Sequence, residues 1–201
     1  MTRVAIVFGI IIVIILGAIT GLVGGYNRLV TLDQAVQSQW AQVESTYQRR
    51  ADLIPNLVAT VKGAANFEKS TYIAVAEARS KVGQLKSGPS AALPNDPAAF
   101  QQFARTQDGL SSALSRLLVV SERYPDLKAS QNFADLQAQL EGTENRITVE
   151  RMRFNEAAQS FNTTRQSFPT VIIAGFFGSR FAEKTYFASL PGSSIVPSVK
   201  F

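Results

Sequence analysis

Histidine and cysteine are both absent from this chain of 201 residues. The usual zinc and copper ligands are therefore missing, as is the commonest general base near neutral pH. Ser-His-Asp and Cys-His nucleophile systems are excluded with them, and disulfides are excluded too. No glycine-rich phosphate loop follows a strand pattern; Gly24-Gly25, and Gly175 with Gly178, flank apolar helix-like segments instead. The net charge is +5, but the basic residues are spread along the chain and form no polybasic cluster. Nucleic-acid binding is not expected from that pattern, whereas mild attraction to anionic lipid headgroups suits it. Sustained period-two alternation with turn dipeptides is also missing, so the chain reads as all-α. Such an inventory leads us to expect no enzyme, no cofactor, no metal and no small-molecule substrate.

Charge is missing altogether between Arg3 and Arg28. Residues 4–23, rich in Ile and Val, give roughly 30 Å of helix, enough to cross a bilayer core. We read residues 1–25 as an N-terminal transmembrane anchor. A cleavable secretory signal ending at Val23-Gly24-Gly25 is the competing reading, although its apolar region is long for that role. Arg3 and the α-amino group lie before the anchor and Arg28 after it, partly offset by Asp33. The positive-inside rule then leans slightly towards a bundle outside.

Beyond the anchor the pattern is helical and heptad-like. Val36, Trp40, Val43, Tyr47, Ile54, Leu57 or Val58, and Val61 follow from Leu29 in alternating steps of four and three. Pro55 either starts a new helix capped by Asp52 or only kinks this one, with the turn then at Gly63-Ala64-Ala65-Asn66 and Asn66 as cap. The heptad phase survives Pro55, which favours the later turn. A second helix to about Lys86 presents Phe67, Tyr72, Val75, Ala78 and Val82. Residues 87–97 hold three prolines, one glycine and two serines and read as a mobile loop. Asp96-Pro97 opens a third helix with Phe100, Phe103, Leu110, Leu114, Leu117, Val120 and Tyr124 on one row, stopped by Pro125. In the last helix Phe133, Leu140, Ile147, Phe154, Phe161 and Phe168 recur every seven residues, until Pro169. We take this ladder as core, not as a ligand pocket. Residues 26–168 thus predict an antiparallel up-and-down four-helix bundle of long helices.

An up-down-up-down path returns the fourth helix to the membrane. Residues 169–190 are then an apolar juxtamembrane segment, with Val171, Ile172, Ile173, Phe176 and Phe177 as candidate membrane contacts. Packing on the base of the bundle is the alternative. Residues 191–201 read as a flexible tail. Arg50 lies 24 residues beyond Tyr26, and Glu144 lies 24 residues before Phe168, so both sit at one height. We expect a polar layer in which Arg49 or Arg50 meets Glu144, with Glu141 nearby, setting register more than stability. Two solvated charges are the plainer alternative. Asn155 and Asn162, each after a ladder phenylalanine, share one flank and either bond across helices or face water. Glu141 and Glu144, with Glu150 further on, most resemble a carboxylate site, but the histidines of four-helix di-metal centres are missing.

These residues carry a resemblance. Tyr26-Asn27-Arg28-Leu29-Val30, Trp40 with Val43, Gln48-Arg49-Arg50-Ala51-Asp52-Leu53-Ile54-Pro55-Asn56-Leu57-Val58 and Lys62-Gly63 are similar to the LemA family. So are Tyr124-Pro125-Asp126-Leu127-Lys128-Ala129, Thr143-Glu144-Asn145-Arg146-Ile147, Arg151 with Phe154-Asn155, Phe161-Asn162, Phe168-Pro169 and Gly175-Phe176. The likeness runs over residues 26–187. Two departures are Phe for the family's usual Tyr before both asparagines, and Asn66-Phe67-Glu68 where the family often has a His before that Glu. The resemblance implies a bacterial single-pass membrane protein of the cell (inner) membrane, with a helical bundle and no established enzymatic activity. Some relatives are associated with building or organising membrane compartments, which suggests scaffolding. A non-enzymatic scaffold or adaptor is expected, whose partners are the lipid bilayer and membrane proteins or a second copy. A sensory or solute-binding bundle is the alternative.

Overall fold

A computed structural model describes residues 2–64, 67–85 and 90–188. Among the described residues there is no strand. The helices are α1 (Thr2–Lys62), α2 (Lys69–Leu85), α3 (Pro97–Ser121), a single turn α4 (Pro125–Lys128), α5 (Gln131–Gln166) and α6 (Thr170–Phe177). Short 3-10 segments occupy Ser90–Asn95 and Gly178–Phe181, and a non-helical strap follows over 182–188. The fold is an all-α bundle of four long helices, built on an N-terminal helix that is long and apolar enough to cross a membrane.

The 61 residues of α1 form one rod of about 90 Å. From Ile6 to Val23 its large side chains are all exposed, and among the described residues only α6 comes alongside them, at Leu22 and Val23. From Leu29 to Val61 the same rod buries Val36, Trp40, Val43, Tyr47, Ile54 and Leu57. Gly24-Gly25 does not interrupt it. Pro55 lies inside it, so the later of the two possible turns is the one formed, at Gly63 and Ala64; Ala65 and Asn66 are outside the described residues. Proline has no N–H, so the Ala51 carbonyl four residues back loses its helical donor. Arg79 of α2 supplies the replacement, its Nε donating to Ala51 O at 3.1 Å.

Pairs along the helices show antiparallel neighbours. Lys62 lies over the Tyr72 ring while Arg79 reaches Ala51, which sets α2 against α1. Phe67 meets Tyr124 at 4.7 Å at the far end of α2 and α3. Arg50–Glu144 and Trp40–Phe154 set α5 against α1. Backbones pack closely between α1 and α5 and between α2 and α3, whereas α3 and α5 face each other across a groove.

The core falls into two halves. Near the apolar stretch of α1, Trp40 sits among Phe100, Phe103, Phe154 and Phe187, with ring centroids 5.3–6.2 Å away. The distal half is mostly aliphatic: Ile54, Leu57, Val61, Val75, Leu110, Leu114, Leu117 and Leu140 around Phe133. Both halves owe their stability to removal of apolar surface from water.

Three local readings need correction. Phe168 is not the last rung of the ladder: it is 82% exposed. Helix α5 ends at Gln166 and Ser167 is extended, so Phe168 leaves the heptad phase. The span 87–97 is not a mobile loop throughout. Residues 86–89 are outside the described set, but Ser90–Asn95 is helical, Pro94 is buried, and Leu93 packs on the aromatic core. Asp96 then caps α3, its Oδ1 accepting from Ala98 and Ala99 N–H at 3.0 Å. Third, the strap does not stay at the base with 169–181. It runs back along the bundle and buries Lys184 and Phe187. The tail 191–201 lies outside the described residues.

Candidate functional site

Between the two core halves sits a charge. Arg50, on the inward face of α1, is fully buried. Its Nη1 donates to Glu144 Oε1 at 2.8 Å and to Ser111 Oγ at 2.5 Å. Nη2 donates to the Gln107 carbonyl at 3.2 Å and to Gln107 Oε1 at 2.5 Å. Ser111 in turn donates to Glu144 Oε2 at 3.2 Å. Three helices therefore converge on one guanidinium, and only its Nε is left without a partner. A buried charge of this kind costs much to desolvate and is tolerated only when paired and hydrogen-bonded. Glu144 is 37% exposed, so the pair looks out into the α3–α5 groove.

Of the other residues expected at this level, Arg49 is exposed and takes no part. Glu141 is exposed and accepts from Gln137 at 2.9 Å. Glu150 is buried, with one oxygen on Arg153 at 3.1 Å and the other unpartnered. Glu141, Glu144 and Glu150 thus point to different neighbours. Among the described residues no group of three or more carboxylates is placed to hold a metal.

Two turns below, Arg151 of α5 donates through Nε to the Tyr47 hydroxyl at 2.5 Å and through Nη2 to Asp108 Oδ1 at 2.7 Å. Its guanidinium also stacks on the Tyr47 and Phe187 rings at 5.5 and 4.9 Å. Burial pushes the Tyr47 hydroxyl up to about 12, against the lowering effect of Arg151. Burial acts to lower the basicity of Arg151, but Tyr47 and Asp108 outweigh it and hold the group above its ordinary value. Asp108, Ser111, Ser112, Glu144, Asn145 and Arg151 edge the α3–α5 groove, a cavity of about 1160 Å³ floored by Leu114, Leu140 and Ile147.

The strap is held by the two asparagines. Asn162 Nδ2 donates to the Lys184 carbonyl at 2.8 Å, and the Lys184 N–H donates to Asn162 Oδ1 at 2.9 Å. Asn155 makes the same reciprocal pair with Phe187, both bonds at 2.9 Å. Seven residues of helix rise about 10.5 Å, and three extended residues span about 10 Å, so the spacings match for an extended strap. Lys184 Nζ, buried over the Phe161 ring, reaches Asp33 Oδ1 at 2.5 Å and Asn95 Oδ1 at 2.7 Å. Asp33 of α1, α5 and the segment before α3 are tied together there.

At the foot, α6 lies on α1 at Gly25. A Cβ on Gly25 would stand 2.7 Å from Ile173 Cδ1 and 3.1 Å from Thr170 Cγ2, so the missing side chain is what admits the helix. Ile173 is consequently buried and is not a lipid-facing residue. Val171, Ile172, Phe176 and Phe177 are exposed, Phe176 to 85%. Tyr26 packs on Phe177 and Phe181 at 5.0 and 5.5 Å. Leu22, Val23, Tyr26, Ile172, Phe176 and Phe177 surround a cleft of about 490 Å³ above Ile173.

Sequence reasoning missed Gln107, Ser111 and the Tyr47–Arg151–Asp108 cluster. Tyr47 had the spacing of a core apolar residue, and nothing in the pattern marked its hydroxyl. A polar Gln at 107 and Ser at 111, both on the inward row of α3, were the available signal.

A family model described as LemA family matches residues 39–201. Magnetosome protein MamQ of Magnetospirillum gryphiswaldense is 28% identical over 187 residues, 86% of this chain and 68% of that protein. Magnetosome protein MamQ 2 of Paramagnetospirillum magneticum is 27% identical over 180 residues, 83% of this chain and 65% of its own length. Protein LemA of Metamycoplasma hominis is 24% identical over 152 residues, 76% and 64% of the two chains. The chain spans about two thirds of the length of these relatives.

Proposed function

The chain belongs to the LemA family, and from that premise we propose that it is a single-pass, membrane-anchored helical scaffold. It acts through contacts with membrane proteins or a second copy and with the bilayer, and it performs no catalysis. The observation that carries this reading is the continuity of α1. One unbroken helix has an entirely exposed apolar half and a bundle-forming half. Exposed apolar surface of that extent is stable only against hydrocarbon, and a helix without a hinge holds the bundle at a fixed attitude to the membrane. Residues 1–25 are the anchor, 26–168 the bundle, and 169–181 its membrane-level foot. Retention of the anchor is supported by Leu22 and Val23, which share a cleft with α6. Confinement to a membrane raises the effective concentration of neighbours, which favours assembly over diffusion-limited encounter. The cell membrane of a bacterium, with the bundle outside, is the location we favour.

The absence of cysteine provides the test. Single variants Ser112→Cys and Asn145→Cys place a unique thiol on either edge of the α3–α5 groove, since both positions are exposed. Bifunctional cross-linking in native membranes is expected to give reproducible adducts to a membrane protein or to a second copy. Monomers alone, at both positions, sink the scaffold reading. One observation favours a second reading, a solute-binding bundle: the groove is of ligand size and gathers Asp108, Ser111, Glu144 and Arg151. Under that reading a small polar solute raises the melting temperature of the purified protein, and cross-links are absent.

A further inference from the structure

We propose that the cleft between α1 and α6 holds one acyl chain of an anionic phospholipid drawn from the surrounding leaflet. The inference rests on the reading that α1 crosses the membrane and adds to it a defined lipid site. The cleft is a built feature. Gly25 seats α6 directly on the backbone of α1, Ile173 fills the contact, and Tyr26 with Phe181 props Phe177 at the rim. Its lining is apolar throughout except for the Tyr26 hydroxyl. Its volume of about 490 Å³ falls within the range of pockets that hold small ligands, about 300–1,000 Å³.

The occupant follows from what forms the walls. Leu22 and Val23 belong to the exposed apolar stretch of α1, which only hydrocarbon can cover in the membrane. The same two side chains are one wall of the cleft. A chain lying along α1 at that height enters it, and Ile172 and Phe176, exposed to 58% and 85%, cover its other side. Charge selects the headgroup. Arg28 follows Tyr26 by two residues and Arg180 follows Phe177 by three, both exposed. No acidic residue occurs in 1–32 or in 157–182. A phosphate with a further negative charge, or one without a neutralising ammonium, is attracted there more strongly than a zwitterion. Tyr26 lies at the depth where amphipathic rings gather at membrane surfaces.

The test uses the full chain in lipid nanodiscs containing a phospholipid with a photoreactive acyl chain, with either an anionic phosphatidylglycerol or a zwitterionic phosphatidylcholine headgroup. Adducts are mapped to peptides. Labelling of residues 22–26 and 172–177 is expected to exceed that of residues 6–18 severalfold, and more so with the anionic probe. Ile172→Trp fills the cleft and should lower that labelling at least fivefold without changing residues 6–18. Arg28→Gln with Arg180→Gln should abolish the anionic preference. If the tryptophan variant misfolds, Ile172→Cys is blocked after folding with a bulky maleimide, to the same end. Even labelling along α1, or cleft labelling indifferent to the blocked position, overturns the site but leaves the anchor standing. An Ile172→Cys dimer formed in place of lipid labelling also overturns it, because a second copy then sits in the cleft. No labelling of residues 6–18 at all sinks the anchor reading itself. Equal labelling by a photoreactive free fatty acid overturns the phospholipid assignment.

Discussion

Removal of the Glu144 carboxylate tests the polar layer most directly. In Glu144→Ala, Arg50 keeps Ser111 and Gln107 but loses its only counter-charge while remaining wholly buried. Breaking a fully buried pair from one side costs about 3–5 kcal/mol. Glu144 is 37% exposed and groove water reaches the vacated space, so a value of about 2 kcal/mol is appropriate, near that of a hydrogen bond to a charged group. For a chain of this size that is a fall in melting temperature of about 4–8 °C. Glu144→Gln keeps an acceptor and should lose about half as much. The decisive comparison is Arg50→Met combined with Glu144→Ala. Once the guanidinium is gone there is no charge left to strand, so the double variant should be no less stable than Glu144→Ala alone. Circular dichroism melts of the full chain in detergent, with all four corners of the cycle, supply the numbers. Losses that simply add, or a Glu144→Ala protein that melts like wild type, would refute the reasoning.

Three further perturbations address other parts of the molecule. Asn162→Ala strands the buried N–H and carbonyl of Lys184, about 1–3 kcal/mol for each, and should free the strap first: amide exchange over 182–188 rises while α1 and α5 stay protected. Because Tyr47 titrates higher when folded, at about 12 against 10, its contribution to stability is level below pH 10 and falls between pH 10 and 12, by on the order of 2–3 kcal/mol. Tyr47→Phe, followed by alkaline unfolding, should remove that loss. Arg79→Leu leaves the Ala51 carbonyl without a donor, which costs about 1 kcal/mol. In a Pro55→Ala background the cost should shrink, since the alanine introduced there supplies the missing N–H to the same carbonyl; equal losses in both backgrounds on chemical unfolding would contradict the account.

How much of this was legible in the sequence depends on the range of the physics involved. The helices come from local patterning: the step of four and three from Leu29 to Val61, the Asp96-Pro97 start of α3, and the seven-residue ladder from Phe133 to Phe161. These follow from 3.6 residues per turn and from the chemistry of caps and prolines. The apolar stretch before Arg28 is equally plain, because a run without charge needs no partner to be recognised. Counting turns in two straight antiparallel helices was enough to place Arg50 and Glu144 at one height. It could not say that Gln107 and Ser111 of α3 would complete the site, since nothing in the spacing of one helix specifies its rotation against another.

Other features belong to the tertiary structure alone. A side-chain amide reads a backbone by its N–H and carbonyl, which every residue has, so Asn155 and Asn162 carried no clue to a strap beginning twenty residues later. Lys184 is buried because Asp33, 151 residues away, and Asn95 meet it when the chain closes. Gly25 read as flanking an apolar segment; its role is set by Ile173 arriving from the other end of the molecule. Periodicity and composition decided which residues face inward. Which inward face meets which was decided only when all four long helices, the strap and the foot packed together, since packing fixes contacts between residues far apart in the chain.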